Sequence, residues 1–504
     1  MLTCSKLLGL AVLASAAAAA PGGNESFTLV TPATPGASLQ SYRTSNKLDP
    51  ASSRTDSQKI ISTVKLVDQK RGANDRSPPG LPAPKTFTTA VDGKLTPSNF
   101  SSNWESSSDS NSTLFKRAHS TYDQVFAGTG TGPNDRDGSI MGTAYLTYTV
   151  VSNATYNVDA CLDFCDRVPG CVFANLYYEF NNELLDFVFS EKSNLKCAVY
   201  ADIHTAAEKT NRGGQQSEAP PAGLTYIKHS SGYAARSLSN PPVPNGYEIS
   251  FGPLDGANNA PGYMGFAFLD RYDVSACAAL CNTRGVDRVG GACQFFNIWR
   301  AVVNGNPTTY TCSMYYIPAG ADTAVNYGQG DLKVTYSRGY HRRDALSDGG
   351  FEGYTGCSDF CFTESYSSWI GTSPSGGFQD ATIFFHSAYA HSGHSVGLLG
   401  SASAADELPG TLTPAGRINT EAGVKYTIMA FLASDFSGPG LEDESFVEVV
   451  WNGAVVKTVR AGYSPWTYYS VDVTAIGGDT VAFRGGKAPA WTFIDDIHIF
   501  RTNV

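Results

Sequence analysis

Charge is scarce in this chain of 504 residues: 16% are Asp, Glu, Lys or Arg, and the formal net charge is -10. No Lys/Arg run or stripe is present, which argues against nucleic acid or an anionic bilayer as partner. After the N-terminal region no apolar stretch reaches about 20 residues, so no membrane span is expected. Gly-rich phosphate loops, helical H-E-x-x-H and Cys-x-x-Cys are missing too, and with them the signatures of nucleotide, zinc-protease and thiol-redox chemistry. Paired acids for glycoside hydrolysis leave no such spacing signature, since they lie far apart along a chain, and that chemistry stays open. What the chain has in quantity is glycine, 51 residues, beside 42% hydrophobic residues. That balance reads as turn-rich and β-rich, and the length suits about three domains.

Residues 1–20 have the form of a signal peptide. Lys6 ends a polar start, Leu7 to Ala20 is apolar, and Ala18-Ala19-Ala20 before Pro21 fits a small-residue cleavage site. Cleavage would remove Cys4 and leave ten cysteines, an even number suited to pairing in an oxidising compartment. The C-terminus, Phe500-Arg501-Thr502-Asn503-Val504, lacks the apolar tail of a lipid-anchor signal. The expectation is a secreted protein, extracellular or cell-wall associated.

Residues 21–117 are rich in Ser, Thr, Pro, Asn and Lys, with Val64-Lys65-Leu66-Val67 as their one short apolar run. Such a segment buries too little surface to offset chain entropy and is expected to be disordered. Asn24, Asn99 and Asn111, and Asn153 beyond the segment, begin N-x-S/T glycosylation sequons. Lys116-Arg117 precedes a compositional change and resembles the dibasic site of kexin-type processing proteases of the fungal secretory route. That resemblance implies a propeptide at 21–117, with Lys70-Arg71 as a weaker second site.

Two sets of four cysteines recur, their matched members offset by 116, 116, 122 and 115 residues: Cys161, Cys165, Cys171 and Cys197, then Cys277, Cys281, Cys293 and Cys312. Other blocks repeat with them. Met141-Gly142-x-Ala144-Tyr145-Leu146 matches Met264-Gly265-x-Ala267-Phe268-Leu269, and Cys171-x-Phe173-x-Asn175 matches Cys293-x-Phe295-x-Asn297. Cys197-x-x-Tyr200 matches Cys312-x-x-Tyr315, and Thr225-Tyr226 with Gly232-Tyr233 matches Thr335-Tyr336 with Gly339-Tyr340. These are true internal repeats, at about 120–236 and 245–342.

Each Cys-x3-Cys puts two sulfurs on one helix face, after an Asn157 or Asp273 suited to capping the helix. The other two cysteines of each set lie in strand-like sequence. Three connectivities per module are open from sequence. Zinc is disfavoured by the secretory signal and by the lack of a repeated histidine. A helix pinned by disulfides onto a small antiparallel sheet resembles the PAN/apple module. That resemblance implies Cys161–Cys197 with Cys165–Cys171, and Cys277–Cys312 with Cys281–Cys293. It also implies binding of protein or carbohydrate without catalysis, although both repeats exceed a minimal module.

Residues 346–504 change character. Val447, Val449 and Trp451 alternate with Glu448 and Val450, and Asn452-Gly453 predicts a type I′ turn into Val455-Val456. Tyr426–Leu432, Tyr468–Val473, Thr480–Phe483 and Phe493–Phe500 read as further strands. Short strands without intervening helices predict a β-sandwich or jelly roll. Gly349-Gly350-Phe351-Glu352, Trp369, Ala390-His391-Ser392-Gly393, Ala422-Gly423-x-x-Tyr426 and Ile494-Asp495-Asp496-Ile497 form an ordered set. As a set they resemble galactose-binding-like jelly rolls of the carbohydrate-binding-module type. The resemblance implies one structural Ca²⁺ held by Glu352 of the first strand and Asp496 of the last, where terminal strands supply the oxygens a hard cation takes.

Sugar binding calls for aromatic platforms beside hydrogen-bonding groups. Tyr463 and Trp466 are the leading candidates, Trp466 because it follows Gly462 and Pro465 in a loop; Tyr468 and Trp491 are further aromatics. Asp435, Asp443 and Glu444 in the loop 434–445 are the polar complement. Many such rings serve packing instead. Cys357 and Cys361 are left over from the repeats and are expected to bridge locally. Gly393-His394-Ser395-Val396-Gly397 fits G-x-S-x-G, but no βα pattern follows it, and a serine hydrolase is the distant alternative. His386, His391 and His394 read as polar residues on a strand and turn.

The sequence therefore predicts a multidomain α+β and all-β protein. It comprises a disordered N-terminal segment, two apple-like modules and a jelly roll at 346–504. The expected function is non-catalytic attachment to extracellular glycans or glycoproteins, with a structural or adhesive protein-binding role as the alternative.

Overall fold

The computed structural model describes residues 54–71, 88–91, 94–97, 122–128, 136–142, 144–152, 154–168, 171–180, 193–213, 225–236, 241–269, 272–435, 440, 442–487 and 491–502. The signal segment, the sequons Asn24, Asn99, Asn111 and Asn153, and the dibasic pair Lys116-Arg117 lie outside them. The chain divides into two compact units that meet in sequence at Arg343/Asp344.

The first unit contains both repeats. The first repeat is a five-stranded antiparallel sheet in the order β3-β7-β5-β6-β4. Its strands are β3 (Tyr122–Phe126), β4 (Tyr145–Val151), β5 (Phe173–Phe180), β6 (Ser193–Tyr200) and β7 (Tyr226–Ala235). The second repeats the order as β8-β12-β10-β11-β9, from β8 (Tyr247–Leu254), β9 (Tyr263–Leu269), β10 (Phe295–Val303), β11 (Asn306–Tyr315) and β12 (Leu332–Arg342). One helix packs on each sheet, α2 (Val158–Arg167) and α3 (Val274–Thr283). Asn157 and Asp273 cap them as their residue types predict, accepting from Ala160 N at 3.0 Å and Ala276 N at 2.9 Å. The bridges are Cys161–Cys197, Cys165–Cys171, Cys277–Cys312 and Cys281–Cys293. In each module one pins the helix to a central strand, worth about 2–4 kcal/mol in the usual range.

Register explains the repeated residues. Gly232 lies opposite Asn175, and Gly339 opposite Asn297. A Cβ at either glycine would lie 2.4 Å from a ring atom, Phe126 in one module and Phe251 in the other. The Met-Gly block is a correction. Cys312 pairs with Ala267, but Cys197 pairs with Thr149, and Met141 and Gly142 precede β4. The two Met-Gly sequences do not superpose, because strand pairing is set by the sulfur-bearing strand and not by local similarity.

Part of the segment expected to be disordered is folded, a second correction. Helix α1 (Ser57–Arg71) places Ile60, Ile61 and Val64 on one face. They pack with Phe266, Phe268, Trp299 and Ala301 on the side of the second sheet opposite the disulfide-bearing strand positions. Thr55 hydrogen-bonds Ala260 O at 3.2 Å and the Tyr315 hydroxyl at 2.9 Å. The hairpin β1 (Thr88–Val91) and β2 (Lys94–Pro97) extends that sheet, β1 pairing with β9 at Val91–Ala267. Low average hydropathy hid three apolar residues at helical spacing, which suffice once a sheet face receives them.

The second unit, described from Asp344 to Thr502, is an antiparallel β-sandwich of the jelly-roll kind. One sheet runs β13-β15-β16-β23-β18-β21 and the other β14-β17-β22-β19-β20. The first comprises β13 (Cys361–Thr363), β15 (Ala381–Phe385), β16 (Ser395–Leu399), β18 (Lys425–Ala433), β21 (Thr467–Thr474) and β23 (Thr492–Arg501). The second comprises β14 (Trp369–Thr372), β17 (Gly410–Pro414), β19 (Val447–Trp451), β20 (Ala454–Val459) and β22 (Val481–Gly485). Trp369, Ile383, Leu412, Ile428, Val447, Phe483 and Ile494 fill the space between the sheets. Asn452 and Gly453 both have positive φ, 52° and 81°, as a type I′ turn requires. Cys357 and Cys361 form the fifth disulfide.

Among the described residues, no helix is long and apolar enough to cross a membrane.

Candidate functional site

Strand registers place five loops at one end of the sandwich. Thr372 pairs with Thr411, Gly410 with Gly485, and Val447 with both Gly485 and Val459. In the other sheet Ala381 pairs with Leu399, Leu399 with Thr492, Phe493 with Ala433, and Leu432 with Thr467. The described residues of the connections 373–380, 400–409, 434–446, 460–466 and 486–491 therefore share that end.

These loops are tied by polar contacts. Ser434 N donates to Ser464 O at 2.8 Å, and Asp443 Oδ1 lies 3.7 Å from where a Cβ on Gly462 would sit. Lys487 joins Glu444 and, at 3.9 Å, Glu407. Asp406 accepts from Phe378 N and Leu408 N, both at 2.9 Å. Phe378 stands 56% exposed, and Tyr463 is half-buried in the 460–466 loop. The same end of the sandwich thus carries an exposed ring as well as carboxylates and an ammonium, the group types that stack on and hydrogen-bond a polar ligand.

Trp466 is a correction. It is 1% exposed and packs with Phe431, Phe493 and Trp491, its ring 5.3 Å from that of His391. It enters the core because the 386–394 loop folds across the outer face of the six-stranded sheet. Tyr389, Ala390 and His391 are fully buried there, and His391 stacks on Phe431 with centroids 3.9 Å apart. A ring that looked free for a ligand is covered by this protein's own loop. Trp491 is buried likewise, donating to Ser401 O at 2.8 Å. Sequence reasoning missed Phe378, although Gly376-Gly377 before it signals an exposed turn.

Glu352 lies in a turn and not in the first strand, since the chain reverses at Phe351, which has φ 61°. Glu352 Oε1 accepts from His394 N at 2.7 Å and Ser395 N at 2.9 Å. Asp496 on β23 binds His391 Nδ1 at 2.6 Å and the Ser392 hydroxyl at 2.7 Å. Its neighbour Asp495 is fully buried and accepts from His391 N at 2.7 Å. Burial, then the adjacent Asp496 charge, raises the Asp495 pKa well above the usual carboxylate range. For Asp496 burial acts in the same sense, but the hydrogen bond and charge of His391 prevail and hold it low.

Two carboxylate oxygens and the stem of Glu352 lie beside Gly350, while the Glu352 carboxylate itself lies at Gly393. A Cβ on Gly350 would lie 3.5 Å from Asp496 Oδ1, 3.8 Å from Asp495 Oδ1 and 3.9 Å from Glu352 Cγ. Among the described residues no three His, Cys, Asp or Glu converge tightly enough to hold a metal by themselves, so carbonyl oxygens or water would complete the shell.

Ser395 begins β16, is fully buried, and donates its hydroxyl to Tyr354 O at 3.1 Å. A strand follows it, so Gly393–Gly397 does not form the strand–turn–helix of a nucleophile elbow. His498 hydrogen-bonds Asp344 at 2.7 Å.

No family model matches the chain, and no curated protein matches it. Several solved structures are similar. The carbohydrate-binding module TmCBM61, in complex with β-1,4-galactotriose, shares 17% identity over 32% of this chain and 99% of its own, at TM-score 0.23. The K2 cleaved adhesin domain of Lys-gingipain shares 16% over 29% and 93%, at TM-score 0.21. A family 35 carbohydrate-binding module from Clostridium thermocellum shares 11% over 28% and 92%, at TM-score 0.16. At these scores the likenesses assign no family.

Proposed function

We propose that this chain is a secreted, non-catalytic binding protein that attaches to extracellular or cell-wall carbohydrate through the loop end of its jelly roll. The observation that carries the reading is that the described parts of five loops share one end and carry exposed Phe378, half-buried Tyr463 and the charged side chains of Asp406, Glu407, Asp443, Glu444 and Lys487. An apolar ring gives a sugar face its stacking surface, and charged groups at the same end accept and donate to hydroxyls. In this reading the repeats are apple-like modules that contact glycans or proteins. A structural Ca²⁺ is held by Glu352 and Asp496 and fixes the turn at 349–353. Cleavage after Arg117 separates residues 21–117 as a propeptide.

The test is retention of the full chain on immobilised wall polysaccharides and a glycan array, with calcium present. Binding that falls at least about tenfold, some 1.4 kcal/mol, in Phe378→Ala or Tyr463→Ala supports the reading. Absence of binding to every glycan by folded protein would sink it and favour an adhesive protein-binding role. Esterase activity abolished by Ser395→Ala would contradict the non-catalytic assignment.

A further inference from the structure

The loop end contains a buried acid that glycan binding does not use. Asp380 closes the 373–380 loop and is fully buried, and no donor reaches either carboxylate oxygen in ordinary hydrogen-bond geometry, the interacting polar side chains being Asp406 and Ser373. A carboxylate removed from water without donors is strongly disfavoured, and proteins resolve this by neutralising it or coordinating a cation. The neighbouring side chains make matters worse. Burial first, then Asp406, raises the Asp380 pKa to about 6; the Ser373 hydroxyl opposes this, and Glu364 adds to it from further away.

The backbone is shaped around the two carboxylates. A Cβ on Gly377 would lie 2.0 Å from Asp380 Oδ2, so any side chain there would displace the carboxylate. Gln379, next to Asp380, has φ 58°, a left-handed value uncommon for a residue with a side chain. Asp406 is held at the same turn by Phe378 N. The 400–409 loop that carries Asp406 also contributes the Ser403 hydroxyl, buried and without a partner. Asp406 is only half-buried, which leaves the pair an approach from solvent.

We propose that Asp380 and Asp406 bind a divalent cation of the calcium type, with loop oxygens and water completing the shell. Calcium takes six to eight oxygens in flexible geometry, so two carboxylates from neighbouring loops suffice as its charged ligands. The site is separate from Glu352, whose carboxylate lies at Gly393, and from Asp496 on β23. Occupancy ties the loop that presents Phe378 to the loop that presents Glu407. The inference does not depend on glycan binding.

The experiment uses the full chain stripped with EDTA, titrated with calcium chloride at neutral pH by calorimetry, with a thermal melt in parallel. The variants are Asp380→Asn, Asp406→Asn and the double variant Glu352→Gln/Asp496→Asn. The double variant is expected to bind calcium still and to melt higher with it. Asp380→Asn and Asp406→Asn should each bind one equivalent fewer than the unsubstituted chain. Unchanged stoichiometry and affinity in folded Asp380→Asn or Asp406→Asn would overturn the proposal. So would a folded double variant that ignores calcium. Half-exposed Asp406 gives a reading even if Asp380→Asn fails to fold. Asp380→Asn that is stabilised equally with and without calcium would mean that a shared proton occupies the place.

Discussion

Asn175 and Asn297 make the same three hydrogen bonds in the two modules. Asn175 accepts from Ile140 N at 2.9 Å and donates to the Ser230 hydroxyl at 2.8 Å and Ser231 O at 2.9 Å. Asn297 accepts from Asn258 N at 2.8 Å and donates to the Ser337 hydroxyl and Arg338 O, both at 2.9 Å. Both are fully buried, so each clamps a preceding loop to a central strand and its neighbour. Replacing either by Ala strands buried donors and acceptors. The expected loss is about 1–3 kcal/mol for a single unsatisfied group, read as a lower midpoint in urea. Asn175→Ala and Asn297→Ala should behave alike.

Helix α1 gives a second prediction. Val64 is 0% exposed among Phe266, Phe268 and Trp299. Val64→Asp loses the burial of a Val side chain, about 1.5–3 kcal/mol, and adds a buried charge. Limited proteolysis should cut the 57–71 segment faster, while Lys59→Ala on the exposed side of α1 leaves the rate unchanged. Equal cutting of both variants would show that α1 is not seated on the sheet.

The two modules are coupled by a buried ion pair. Arg300 of β10 reaches Asp202, just after β6, at 3.2 Å and donates to Ile203 O at 2.9 Å, while the Tyr310 hydroxyl donates to Asp202. Arg300→Met leaves the acid buried and is expected to cost about 3–5 kcal/mol. Asp202→Asn introduced with it should restore part of that loss. A double-mutant cycle with no coupling energy would contradict the pairing.

Asp380 sets a pH dependence. Its folded-state pKa is raised to about 6 from the ordinary carboxylate value of 3.8, so between these values the native state binds more protons than the unfolded chain. Stability therefore falls as pH rises through that window, and the penalty is fully present above it. The difference in melting temperature between the unsubstituted chain and Asp380→Asn, followed in EDTA from acid to neutral pH, should show this fall. Calcium should remove it.

The repeat architecture was legible in the sequence because disulfides and buried polar clamps demand particular residues at particular registers. The cysteines, Asn175 with Asn297 and Gly232 with Gly339 carried over directly, while the Met-Gly block did not. The jelly-roll strands were legible from alternation and from Asn452-Gly453. The fate of Trp466 was not, because whether a ring is a platform or core depends on a loop 75 residues away in sequence, ending at His391. The folded part of the N-terminal segment was hidden for the same reason. Ile60, Ile61 and Val64 have no partner within their own stretch, and the face they cover belongs to strands 200 residues on and more. Glu352 was misplaced on a strand since positive φ at Phe351 leaves no mark in composition.

The account turns on whether the loop end of the jelly roll recognises sugar. The most direct measurement is binding of the folded full chain to immobilised wall polysaccharides, compared with Phe378→Ala and Tyr463→Ala under the same calcium concentration. Saturable binding, competed by free oligosaccharide and weakened about tenfold or more by either substitution, is the predicted result. Binding that is absent, or equally strong in both variants, would contradict it.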